Sequence, residues 1–152
     1  VIIRQANKQD MNHLLAMGLH FFREGKFTEK GLTFFPPDFE RFLVFLIESR
    51  NAIFLIAEEE NSPIGSIAGV FSPWMLDYAK VTLTELWWWI EPEHRGNRVA
   101  FQLLKEYERT AKENNITHVI MGTHDNVNEG RLQSFYSRYG YKHLEHHYIK
   151  EI

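Results

Sequence analysis

The chain has no cysteine in its 152 residues. This excludes disulfide frameworks, thiolate metal sites and cysteine nucleophiles together, and it is compatible with a reducing, cytoplasmic setting. No apolar run exceeds the length of Phe42–Ile47, far short of the roughly 20 residues that span a bilayer. Val1-Ile2-Ile3-Arg4 lacks the basic, apolar, small-residue order of a signal peptide. Excess charge is also missing: 17 basic and 20 acidic side chains leave a formal charge of −3. That balance is poor for gripping nucleic acid or an anionic membrane. Repeats, low-complexity stretches and long linkers are absent, so residues 1–152 are expected to form one domain.

Aromatic rings are plentiful: 12 Phe, 6 Tyr and 4 Trp. Such an excess calls for a large core or an aromatic-lined cleft. The order of elements follows from periodicity and punctuation. A short strand at Ile2-Ile3 precedes Asn7 and Asp10, which have the spacing of a capping box. Leu14, Met17 and Phe21 with Leu15, Gly18 and Phe22 then form a helical stripe. A loop runs on to Pro36, where Pro36-Pro37-Asp38 opens a second helix through about Ser49. Ala52–Glu58 and Ile64–Phe71 read as a hairpin around Glu59–Pro63. Residues 75–80 read as a connection and Val81–Ile90 as a third strand, stopped by Pro92. Val99, Leu103, Leu104, Tyr107 and Ala111 share one face of a long helix that Asn114-Asn115 ends. Val119–Met121, Leu132–Tyr139 and His143–Ile149 complete the chain as strand, helix and terminal strand. The order β-α-α-β-β-β-α-β-α-β is a mixed α/β fold.

Chemistry concentrates where the third strand meets the long helix. Helix N-termini present unpaired N–H groups and the positive end of the macrodipole, a ready cradle for phosphate. Gly96 allows close approach of an anion, and Arg95 and Arg98 add charge. A strand-to-helix turn with glycine for steric relief is the plainer reading of the same residues.

Trp88-Trp89-Ile90, Glu91-Pro92-Glu93-His94 and the turn Arg95-Gly96-Asn97-Arg98-Val99-Ala100 resemble the GCN5-related N-acetyltransferases, the GNAT superfamily. The family's Gln/Arg-x-x-Gly-x-Gly/Ala pattern is met at Arg95 and Ala100, with Arg98 where the family prefers glycine. A second signature is similar as well: Asn128, then Tyr136 near the end of a helix, then Gly140-Tyr141. The opening Ile3-Arg4-Gln5-Ala6 with Asp10 also resembles the family's first residues. The resemblance implies a mostly antiparallel central sheet flanked by helices, with splayed central parallel strands forming a coenzyme cleft. It implies acetyl-CoA as co-substrate without a metal, and transfer of acetyl to a primary amine of a small molecule or protein. The alternative is a weakly active or inactive module of this fold that binds coenzyme or a protein partner. A homodimer stays open.

The residues that the resemblance assigns to coenzyme are Trp88, Trp89, Ile90, the turn Arg95–Ala100, and Asn128. Backbone N–H groups around Trp89 and Ile90 would polarise the thioester carbonyl, and Tyr136 would protonate the departing thiolate. Two general bases compete. Glu85 lies upstream on the coenzyme strand, one residue short of the family spacing; this places it on the wrong face unless a bulge intervenes. His124, at the end of the following strand, is the competitor, since imidazole is the side chain suited to proton transfer near neutral pH. Phe21, Phe22, Phe27, Phe34 and Phe35 either wall the acceptor site or pack the core, and Glu24 and Glu29 would suit a cationic acceptor. His143, His146 and His147 read as a solvated face rather than a metal site.

Overall fold

The computed structural model describes residues 1–96, 98–124 and 129–152. Its elements are β1 (Ile2–Gln5), α1 (Met11–Glu24), α2 (Pro36–Glu48), β2 (Ala52–Glu59), β3 (Ser62–Trp74), β4 (Asp77–Ile90), α3 (Val99–Glu113), β5 (His118–Ile120) and α4 (Glu129–Arg138). The strands form one sheet in sequence order, antiparallel throughout except for the parallel pair β4–β5 at one edge. Among the described residues no helix is long and apolar enough to cross a membrane.

Local chemistry sets the boundaries. Asn7 accepts from the Gln9 N–H, and Asp10 accepts from the Asn7 N–H, completing the expected capping box. Arg4 grips both Asp10 oxygens at 2.7 and 2.8 Å and also Glu58, tying β1 and β2 to the start of α1. Burial alone would raise the Asp10 carboxyl, yet the Arg4 bonds and the Asn7 N–H hold it below the usual carboxylate range. Glu60 and Asn61 both take positive φ, giving the tight turn that the β2–β3 twist requires. The β3–β4 connection is shorter than the sequence suggests. Both strands run on, leaving only Met75-Leu76 between them, because no proline or glycine stops the chain within 75–80.

Helices cover both faces, which explains the nearly unbroken apolar run of β2. Ile53, Leu55 and Ala57 pack with Leu103, Tyr107 and Ala111 of α3. Phe54 and Ile56 pack with Leu14 and Met17 of α1 and with Leu43 and Leu46 of α2.

The terminal strand expected at His143–Ile149 does not form: residues 142–152 contain no strand. The segment finds no partner edge, and Leu144, Tyr148 and Ile149 stay exposed. In consequence the parallel pair lies at the edge of the sheet rather than at its centre.

A bulge in β4 decides which face each residue near its end presents. Gly69 pairs with Glu85 and Ala68 with Trp87, so Leu86 is an extra residue. Gly69 makes room beneath it, since a Cβ there would be driven into the Tyr107 hydroxyl and the Thr84 carbonyl oxygen. Gly69→Ala should therefore cost about 1–3 kcal/mol, as overpacking usually does, measured by urea unfolding. A loss well under that range would mean that the bulge has slack.

Candidate active site

The β4–β5 pairing covers only Thr82–Thr84 against His118–Ile120. Beyond it the strands part, and β4 continues to Ile90 with an edge that no strand among the described residues pairs. Gly122, just past β5, is held by side chains instead of a strand. Its N–H donates to Glu85 Oε2 at 3.1 Å, and its carbonyl accepts from the Tyr136 hydroxyl at 2.9 Å. Glu85 and Tyr136 thus meet on the two backbone groups of one residue.

The bulge sorts the tryptophans and the acid. Glu85 faces the α3 side, with Leu83, Trp88 and Ile90, while Trp87 and Trp89 face α1 and α2. Trp87 Nε1 donates to Ser66 Oγ at 2.5 Å. Trp88 packs against Phe135 and Tyr136 of α4.

Backbone direction follows from the ladder. Glu91 N–H donates to the Ile64 carbonyl, and in an antiparallel pair successive residues point alternately to one neighbour and away from it. Trp89 therefore faces β3, while Trp88 and Ile90 turn their N–H and C=O to the open edge. The expected role of a Trp89 N–H at a reacting carbonyl moves to its neighbours for this reason.

The turn after β4 also differs in detail. Arg95 does not face the helix start: its Nε donates to the Ile90 carbonyl, Nη1 donates to Glu24 at 2.8 Å, and the guanidinium stacks on Trp89. Glu24 is thereby neutralised and is no longer available to a cationic acceptor. Gly96 has φ +83° with nothing within 4 Å of where a Cβ would stand. Arg98, exposed, is the N-cap of α3; the start has no side-chain cap and no acid in its first turn. The first intrahelical bond is from Gln102 to Arg98, so the N–H groups of Val99, Ala100 and Phe101 precede any helical acceptor. Asn97 and Asn128 lie outside the described residues.

At the far end, Tyr136 is placed by a Schellman cap. Gly140, at φ +85°, donates to Ser137, and Tyr141 donates to the Tyr136 carbonyl while its ring packs on that of Tyr136. The Tyr141 hydroxyl reaches Glu108 of α3 at 2.9 Å. Burial, then the charge of Glu85, push the Tyr136 phenol well above its usual range, so it stays protonated.

On the opposite face, Gly18, Phe21 and Phe22 of α1, Phe27 and Phe34 of the connection, Phe39 and Phe42 of α2, and Leu86 and Trp87 of β4 line a cup of about 210 Å³. Of the five phenylalanines expected there, Phe35 alone stands outside and exposed. His124 lies edge-on to Phe21 and Phe27, with ring centroids 5.3 and 5.4 Å away. The two candidate bases are thus on different faces, Glu85 toward α3 and His124 on the cup. The His143 and His146 rings lie tilted with centroids 4.6 Å apart, and among the described residues no group of three or more potential ligands is placed to hold a metal. Gly122, the residue on which Glu85 and Tyr136 converge, is foreshadowed only by a glycine after an apolar strand.

Burial pushes the Glu85 carboxyl up to about 7, against the smaller opposing effect of the Gly122 N–H. The folded state therefore keeps a proton that the unfolded chain releases near 4.5. Stability from this group falls as pH rises between those values and stays low above them. Glu85→Gln keeps an acceptor for Gly122 without the charge. It should raise stability by up to roughly 2–3 kcal/mol above pH 7 and change it little at pH 4.5. Urea unfolding across that range checks this; a gain independent of pH would contradict it.

Comparison with known proteins accords with this arrangement. The Acetyltransferase (GNAT) family matches residues 19–141. Among curated proteins none matches. A ribosomal-protein-alanine N-acetyltransferase from Brucella melitensis biovar Abortus 2308 superposes with a TM-score of 0.76 at 14% identity, covering 100% of both chains. A predicted acetyltransferase with acetyl-CoA from Clostridium acetobutylicum has a TM-score of 0.72 at 21% identity, covering 99% of this chain and 95% of the other. An aminoglycoside antibiotic 6'-N-acetyltransferase from Acinetobacter haemolyticus has a TM-score of 0.74 at 14% identity, covering 100% and 99%. These likenesses are of fold, and the family match spans most of the chain. The chain belongs to the GNAT family of acetyltransferases.

Proposed function

We propose that this chain is an acetyl-CoA-dependent N-acetyltransferase whose acceptor, a primary amine, attacks the thioester directly without an acyl-enzyme. The observation that carries this reading is the open edge of β4. It runs from an uncapped helix start at α3 to the point where Glu85 and Tyr136 hold Gly122.

The residues present fit the co-substrate. Open space at Gly96 and the free first-turn N–H groups of α3 suit a pyrophosphate, with Arg98 at the N-cap adding charge. The outward N–H groups of Trp88 and Ile90 and the Trp88 C=O suit an amide-bearing arm lying beside the strand, the Ile90 C=O being taken by Arg95. Acetyl-CoA supplies the acetyl thioester. The amine nitrogen forms a bond to the carbonyl carbon, the C–S bond breaks, and the amine proton passes to the base.

Glu85 is the base in this reading. Its carboxyl titrates near neutrality, only one of its oxygens is bound to Gly122, and the other can act through a water. N–H groups of the open edge stabilise negative charge on the carbonyl oxygen. Tyr136, protonated before the reaction, turns its hydroxyl proton from the Gly122 carbonyl to the leaving sulfur and regains a proton from solvent afterwards. His124 is the second reading for the base, favoured by its place against the cup.

Saturating acetyl-CoA should raise the melting temperature, and CoA should be released only when an amine is added. Tyr136→Phe should keep that melting shift and lower turnover roughly 10²–10⁴-fold; unchanged turnover would remove its role. The rising limb of kcat/KM near pH 7 should vanish in Glu85→Gln, whereas its survival would assign the base to His124. The absence of any melting shift in the parent protein would overturn the whole reading.

A further inference from the structure

The cup between α1, α2 and the β4 bulge has a composition unusual for a site that must receive an ammonium group. Its lining is almost wholly aromatic and contains no charged side chain. Glu24, the acid nearest in sequence to Phe21 and Phe22, is engaged by Arg95. The connection that closes the cup carries Lys26 and Lys30 against Glu29, and the Lys30 ammonium stands over the Phe27 ring at 5.6 Å. An acceptor bearing several ammonium groups would find no carboxylate inside the cup.

Size narrows the class further. An apolar cavity of about 150 Å³ is enough to hold benzene. At about 210 Å³ the cup takes one six-membered ring with a short linker. Phe21 meets Trp87 edge-on at 5.1 Å and Phe39 lies 5.5 Å from Trp87, so ring edges and faces already line the space. The cup reaches the edge of β4 where the strands part: Leu86, which lines it, is the bulge residue following Glu85, whose own side chain lies on the other face, and His124 past β5 stands against Phe21 and Phe27.

Resting on the N-acetyltransferase reading, we propose that the acceptor is a monoamine carrying one compact apolar ring, seated in this cup with its amine toward the β4–β5 opening. Polycationic amines are poor acceptors. The ring gains its binding energy from apolar burial, which places a single nitrogen at the gap and leaves no second cation to accommodate. Leu86 sets the depth of the cup, and Phe34, packed between Phe22 and Phe39, closes its far wall.

The test compares 2-phenylethylamine and cyclohexylmethylamine with spermidine and neamine, measuring CoA release at saturating acetyl-CoA. The ring amines should exceed the polycations in kcat/KM by at least about 100-fold. Leu86→Trp, which fills the cup from a half-exposed position, should lower the ring amines at least tenfold while keeping the melting shift with acetyl-CoA. Phe34→Asp, which adds a carboxylate, should narrow the ratio at least tenfold. Equal or better turnover of the polycations overturns the inference. A separate arm monitors 4-fluorobenzyl alcohol, which has no amine, by fluorine NMR. Binding to the parent and its loss in Leu86→Trp support the cup as a ring site, even if no amine is acetylated and the enzymatic reading fails. No binding to the parent, or equal binding to both, overturns it.

Discussion

Gly122 gives its backbone N–H to the Glu85 carboxylate and its carbonyl to the Tyr136 hydroxyl. Both groups would otherwise seek a strand or water, and the two side chains bind them instead. Satisfying them with side chains lets β5 leave β4 after three paired residues without an energetic conflict. Everything distinctive in the site depends on that separation: the open edge of β4, the depth of burial of Glu85, and the lodging of Tyr136 against the gap. The same burial that brings Glu85 into the neutral range also makes its ionised form destabilising to the fold. A group suited to proton transfer is here held at a cost in stability.

The bulge at Leu86 divides the labour between the faces. It turns Trp87 toward α1 and α2 and leaves Glu85 on the α3 side, so the aromatic cup and the Glu85–Tyr136 pair lie back to back across one strand. An acceptor entering from one face and a thioester arm lying along the strand edge would meet at the gap. Proximity of that kind accounts for much of the barrier lowering in direct transfer reactions. Arg95 serves this plan indirectly. It spans from the Ile90 carbonyl to Glu24 and stacks on Trp89, fixing α1 to the end of β4.

Features settled by neighbours in the chain were legible in the sequence. The Asn7–Asp10 capping box, the left-handed Asn115 and the Gly140-Tyr141 cap depend on contacts within a few residues. Helix periods and the β2–β3 hairpin belong to the same class. What the sequence concealed depends on distant partners. The face of Glu85 is set by an extra residue in β4, which Gly69 of β3 accommodates. The direction of Arg95 is set by Glu24, 71 residues away. The segment His143–Ile149 reads as a terminal strand, yet a strand exists only with an edge to pair. Four of the five phenylalanines read as cleft or core line the cup, Phe21 and Phe22 from the face set by α1 spacing and Phe27 and Phe34 from the connection, whereas Phe35, at the start of α2, is exposed.

The central claim is that the open edge of β4 receives the co-substrate, and amide hydrogen exchange resolved to single residues tests it most directly. In the free protein the Trp89 N–H, paired with β3, should exchange slowly, and those of Trp88 and Ile90 faster. Saturating acetyl-CoA should slow Trp88 and Ile90 at least about tenfold and leave Trp89 nearly unchanged. Bound acetyl-CoA with no added protection at Trp88 and Ile90 would contradict the account.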